Sequence, residues 1–115
     1  MNFRNIFKKK PSVEEKEEWP FDQGPNVAAI PSIHITKEAK PILQVTHYDD
    51  DDSWGFQPGF EISTEDGQVV AMKTIVDLDP TVKEVADLPP GWSADRKEVG
   101  GKWTRYKDEF EPDEA

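Results

Sequence analysis

Four consecutive aspartates, Asp49, Asp50, Asp51 and Asp52, lead almost directly into Trp54 and Phe56, and they are the residues whose type and spacing could do chemistry. Clustered carboxylates either coordinate a hard cation or repel one another. With Asp50 at the first position of a calcium loop, Asp52 falls third, Gly55 sixth and Glu61 twelfth. The fifth position is Trp54, which has no oxygen to donate, and the flanking segments alternate as strands do instead of forming helices. The register fails, so no metal site is expected and the run reads as the solvated tip of a hairpin.

The two histidines, His34 and His47, are the next candidates, as a base or as a metal pair. Both lie in strand-like patterns, His47 on the side of Leu43 and Val45, and both read as hydrogen-bonded core or edge histidines. Asp77 and Asp79 could pair for acid and base work, but Asp79 before Pro80 is already accounted for as a helix cap followed by proline at the first helical position. The chain has no cysteine, which removes disulfides, thiolate nucleophiles and cysteine zinc sites together. No nucleophile elbow, zinc-protease helix or phosphate-cradling glycine loop is present. The reading leans away from an enzyme, with no catalytic residue and no cofactor expected.

Fourteen basic residues against 24 acidic ones leave a net charge of -10. That charge repels nucleic-acid phosphates and anionic lipid heads and attracts basic proteins, whose encounter it accelerates by steering. A chain of 115 residues is long enough for one core. The mean hydropathy of -0.79 implies that part of the chain lies outside that core. No apolar run approaches the ~20 residues that cross a bilayer, and residues 1–10 lack the apolar stretch of a signal peptide. A cytoplasmic location is the expectation.

The elements that must position these residues follow from periodicity. Residues 1–25 read as a flexible charged leader: Phe3, Ile6 and Phe7 among Arg4, Lys8, Lys9 and Lys10, then an acidic stretch, then an aromatic approach that lays Trp19 or Phe21 on the body. Such a segment gives no stable membrane insertion. Val27–Ile30 with Ile33 and Ile35 reads as a strand interrupted at Pro31. Leu43, Val45 and His47 alternate, and so do Trp54 and Phe56, which makes a hairpin with the aspartates at its tip. Gly55 and Gly59 suggest a bulge or a close approach by another backbone. Val69–Leu78 reads as a central strand with Val70, Met72, Val76 and Leu78 on one face, followed by a short helix from Asp79. Trp92–Arg96 and Trp103–Tyr106 flank Gly100 and Gly101 as a second hairpin. The expected fold is α+β: a mostly antiparallel sheet of five or six strands with one short helix over residues 26–106. Polar tails flank it at both ends, with 107–115 an acidic disordered tail.

Several of these segments together resemble a known family. Pro41, Ile42, Leu43 and Val45, the acidic loop to Trp54, Gly55, Phe56 and Gly59, then Asp77, Leu78, Asp79 and Pro80, and finally Leu88, Pro89, Gly91, Trp92 and Ala94 resemble a bacterial domain family of unknown function, over about residues 26–106. Related domains are immunity proteins of polymorphic toxin systems. The resemblance implies no catalytic residues. The net charge and the clustered aspartates make a basic protein partner such as a toxin the expectation, met by a surface of Asp49, Asp50, Asp51, Asp52, Trp54 and Trp92. The competing expectations are a small enzyme or ligand-binding domain lined by Trp54, Trp92, His47 and carboxylates, and a metal-binding domain using Asp50, Asp52 and Glu61.

Overall fold

Alternation of apolar and polar residues in Gln44–His47 (β2) and Trp54–Gln57 (β3) produces the antiparallel hairpin at the centre of the sheet, with Val45 opposite Phe56 and His47 opposite Trp54. The computed structural model describes residues 19–60 and 63–108. The leader up to residue 18, Glu61 and the acidic tail from residue 109 lie outside the described residues. Ala28–Pro31 (β1) runs parallel to β3, and Val70–Ala71 (β4) pairs antiparallel with β1. Trp92–Asp95 (β5) joins the other side of β2, and Thr104–Lys107 (β6) closes that edge. The order is β4-β1-β3-β2-β5-β6, a six-stranded mixed sheet, mostly antiparallel, with short helices packed on it. The α+β class and both hairpins agree with the sequence reading.

Two segments differ from it. Ile33–Thr36 (α1) is a helical turn rather than a continuation of the first strand, because the buried Ser32 accepts the His34 backbone N–H in its side chain and starts a helix there. Val69–Leu78 is not a central strand: only Val70 and Ala71 are extended, and Met72–Leu78 (α2) is helical. Its buried residues Met72, Ile75 and Val76 follow helical spacing, while Leu78, expected inside, is 54% exposed. The first turn of α2 has no side-chain cap. The carbonyls of Val27 and Pro25 take the N–H groups of Met72 and Lys73 instead, at 2.8 and 2.9 Å. Tertiary partners of this kind override the strand preference of a segment rich in valine and isoleucine.

The core forms between one face of the sheet and the helices. Val45, Trp54, Phe56 and Ala94 meet Ile35, Met72, Ile75, Val82, Val85 and Leu88 there. Phe21 belongs to it at 3% exposure, so packing reaches residues before Asn26. Asp79 starts the 3-10 helix Pro80–Val85 by accepting the Thr81 N–H, with proline at the first position as its sequence implied. The same aspartate anchors the helix to the sheet through Arg96, whose side chain is excluded from water. The guanidinium donates to Asp79 Oδ2 at 2.7 Å, to the Thr81 hydroxyl at 2.8 Å and to the Ile42 carbonyl, and lies 4.2 Å from the Trp103 ring centre. Among the described residues no helix is long and apolar enough to cross a membrane.

Candidate functional site

The acidic turn between β2 and β3 is a braced structure. Tyr48 N–H donates to the Ser53 carbonyl at 2.9 Å, closing the loop. Asp51 Oδ1 accepts from both the hydroxyl and the N–H of Ser53, at 2.6 and 3.1 Å. The Ser53 hydroxyl, followed by its backbone N–H, holds the Asp51 carboxyl below the usual carboxylate value. Asp52 takes a left-handed backbone conformation, with φ of 64°, which aspartate tolerates better than most residues. All four aspartates are exposed, so four carboxylates share one end of the sheet.

His47 fixes this turn to the body. Its Nε2 lies 2.6 Å from Asp52 Oδ1, and its Nδ1 lies 2.7 Å from the Leu88 carbonyl oxygen. Both neighbours are acceptors. A ring with hydrogen on both nitrogens donates to both, whereas a ring with one hydrogen gives up one contact. The buried ring stacks on Trp54 at 4.1 Å and 13°. Trp54 in turn donates its indole N–H to Gln23 Oε1 at 2.7 Å, and Gln23 Nε2 reaches the carbonyl and carboxylate of Asp52. Phe21 meets the edge of Trp54 at 5.1 Å. The segment preceding β1 is thus part of the support for the turn.

Of the residues expected to form the binding surface, Asp49, Asp50, Asp51 and Asp52 come together as exposed groups. Trp54 does not join them: at 1% exposure it is core. As the first residue of β3 on the helix-covered face it lies beneath the turn. Trp92 is half-buried opposite His47 and packs against the core. The preceding Gly91 approaches Asp49 closely: a Cβ built on it would lie 3.5 Å from Asp49 Oδ2. The close approach expected at Gly55 comes from a side chain, not a backbone, since a Cβ there would meet the Tyr48 hydroxyl at 2.7 Å.

His34 and His47 do not meet; each has its own acceptors. His34 bridges Glu38, 2.9 Å from Nδ1, and Asp66, 3.3 Å from Nε2. Among the described residues no group of three or more His, Asp or Glu side chains is arranged to hold a metal ion. The pocket expected around Trp54, Trp92 and His47 is filled instead by the stacked rings of His47 and Trp54.

Three residues that sequence reasoning passed over also belong to this end of the molecule. Tyr48 lies over Gly55, and burial, then the nearby Asp108, Asp50 and Asp51, push its hydroxyl above its usual value. Asp108, assigned to the tail, accepts from the Ser93 hydroxyl at 2.6 Å, and its N–H donates to the Gly91 carbonyl at 2.8 Å. Gln23, assigned to the leader, holds Asp52. The signal for Asp108 was available: it continues the alternation of Thr104 and Tyr106. Comparison of the chain with protein-family models, with curated proteins and with solved structures finds no match in any of the three.

Proposed function

We propose that this protein is a non-catalytic interaction module that presents its acidic turn to a basic surface of a partner protein, in the manner of the immunity proteins its motifs resemble. The observation that carries the reading is the placement of Asp49–Asp52: all are exposed, and Asp52 is tied down by His47 and Gln23. Four like charges held this close repel one another, and an opposing cationic surface relieves that repulsion. Bracing reduces the ordering cost that a mobile acidic loop would meet on binding. A toxin is the partner class that the family resemblance favours, and a cytoplasmic location accompanies it.

The test is affinity capture with the full chain at low salt, run beside the triple variant Asp49→Asn, Asp50→Asn, Asp51→Asn. These side chains face water, and Asp52 keeps its anchoring contacts. A basic protein should be retained by the wild type, released as ionic strength rises, and lost by the variant. Retention that ignores both salt and the three substitutions would overturn the electrostatic reading. No retained protein, with no toxin gene beside the one encoding this chain, would overturn the module itself.

A further inference from the structure

The helices and the 3-10 turn that build the core pack against one face of the sheet. Among the described residues, the other face carries mainly polar side chains of the sheet itself. Strand alternation directs Gln44 and Thr46 of β2, Gln57 of β3, and Ser93 and Asp95 of β5 outward on it, and the register of β6 adds Thr104 and Tyr106. None of these positions holds lysine or arginine. Arg105 turns to the opposite side, where it donates to Asp87 and the Glu84 carbonyl.

Hydrogen bonds organise the face into two rows. Thr46 and Ser93 share a hydroxyl contact of 2.9 Å, and Ser93 donates onward to Asp108 Oδ1. Gln44 donates to the Tyr106 hydroxyl, which donates to Asp95 Oδ1 at 3.0 Å. Each chain of donors ends on one carboxylate oxygen, and among the described residues no hydrogen bond takes the other. A groove of about 540 Å³ is lined by Gln44, Thr46, Ser93, Tyr106, Lys107 and Asp108. Across Gln44 it meets a second groove, of about 560 Å³, lined by Tyr48, Gln57 and Phe60. Volumes of this order accommodate a few side chains of a bound segment. The acidic turn adjoins the Tyr48 end.

We infer that this polar face, along the grooves between Tyr106 and Tyr48, is the docking site for an extended arginine- or lysine-bearing segment of a partner protein. The inference rests on the reading of the protein as an acidic interaction module and moves the main contact from the turn to the sheet. Charge complementarity selects the occupant. Asp95 and Asp108 accept a guanidinium or ammonium group, the rings of Tyr48 and Tyr106 take its stem and its positive face, and Lys107 is the one cation among the residues lining the two grooves. The Tyr106 hydroxyl is bonded to Asp95, and Tyr48 lies beside the acidic turn, so carboxylates stand near both rings. The turn then steers the segment onto the face.

The experiment is a titration of the full chain, isotopically labelled for amide NMR, with a short peptide alternating arginine and serine. A matched peptide with glutamine in place of arginine is the control. Amide shifts should concentrate at Thr46, Ser93, Tyr106 and Asp108. Asp108→Asn, which keeps the Ser93 contact and the side-chain shape, should weaken binding by about fivefold. Shifts confined to residues 49–52 would overturn docking on the face and leave the acidic module standing. No response to the arginine peptide at low salt would overturn both. An equal response to the glutamine peptide, or a response to a neutral oligosaccharide alone, would overturn the choice of a cationic occupant. The wild-type titration decides among these outcomes even if Asp108→Asn perturbs the fold.

Discussion

Arg96 shows why a buried charge in this fold depends on its partners. Its side chain is shielded from water and Asp79 is nearly so, at 12% exposure. Removing one partner of such a pair leaves the other charged and unsolvated, which costs far more than an exposed ion pair is worth. Asp79→Ala should therefore lower unfolding stability by about 3–5 kcal/mol in urea titrations. A loss below about 1 kcal/mol would show that the Ile42 carbonyl, Thr81 and Trp103 satisfy the guanidinium without it. His34 makes a different prediction. The Glu38 contact, opposed by desolvation and reinforced by Asp66, raises its pKa above the ordinary 6.5. A raised value means that the histidine binds its proton more tightly when folded. Its contribution is complete below 6.5 and is lost as pH rises through the folded value. Against His34→Gln, the wild type should hold its full stability advantage below pH 6.5 and lose part of it as pH rises through the raised folded value, measured by denaturant midpoints. An advantage independent of pH would remove the histidine from that role.

At the scale of elements, the turn between β2 and β3 raises the question of what holds it: its backbone geometry or the Asp52 side chain. Asp52→Gly suits the positive φ but removes the carboxylate from His47 and Gln23, whereas Asp52→Asn retains an acceptor and the same backbone tolerance. Amide order parameters over residues 49–52 should fall below about 0.6 in the glycine variant and stay near about 0.85 in the asparagine variant. Equal values in both would assign the bracing to the backbone. The two hairpins and the Asp79–Pro80 helix start were legible in the sequence because each depends on neighbours a few residues apart. The parallel pairing of β1 with β3 was not, since Ile30 meets Gly55 across the intervening chain. Nor was α2, whose start is capped by carbonyls of Pro25 and Val27, nearly fifty residues earlier.

For the molecule as a whole, the boundary of the packed body matters most. Asn26 looked like its start because proline and glycine punctuate the preceding residues, a local signal that is blind to where Phe21 lands. Phe21 is buried against Trp54, so Phe21→Ala should cost about 3–5 kcal/mol in unfolding experiments. It should also loosen Gln23 and the acidic turn above it. A cost below about 1 kcal/mol would return the segment to the periphery. The acidic half of the candidate surface was legible from residue type alone. The alternation of Thr104, Tyr106 and Asp108 was legible too, but their place beside Ser93 was not, because only the β5–β6 register sets it.

The path of the chain also bears on protein engineering. Trp19 hydrogen-bonds to Gln23, which holds Asp52, while Asp108 is bonded to Gly91, which lies beside Asp49. Both ends of the described chain therefore leave the body next to the same four aspartates. A tag or reporter joined directly to residue 19 or residue 108 would crowd that pole and blunt any measurement made there. A circular permutant that links residue 108 to residue 19 and opens between Gly100 and Gly101, in the β5–β6 turn, would move both attachment points away from it.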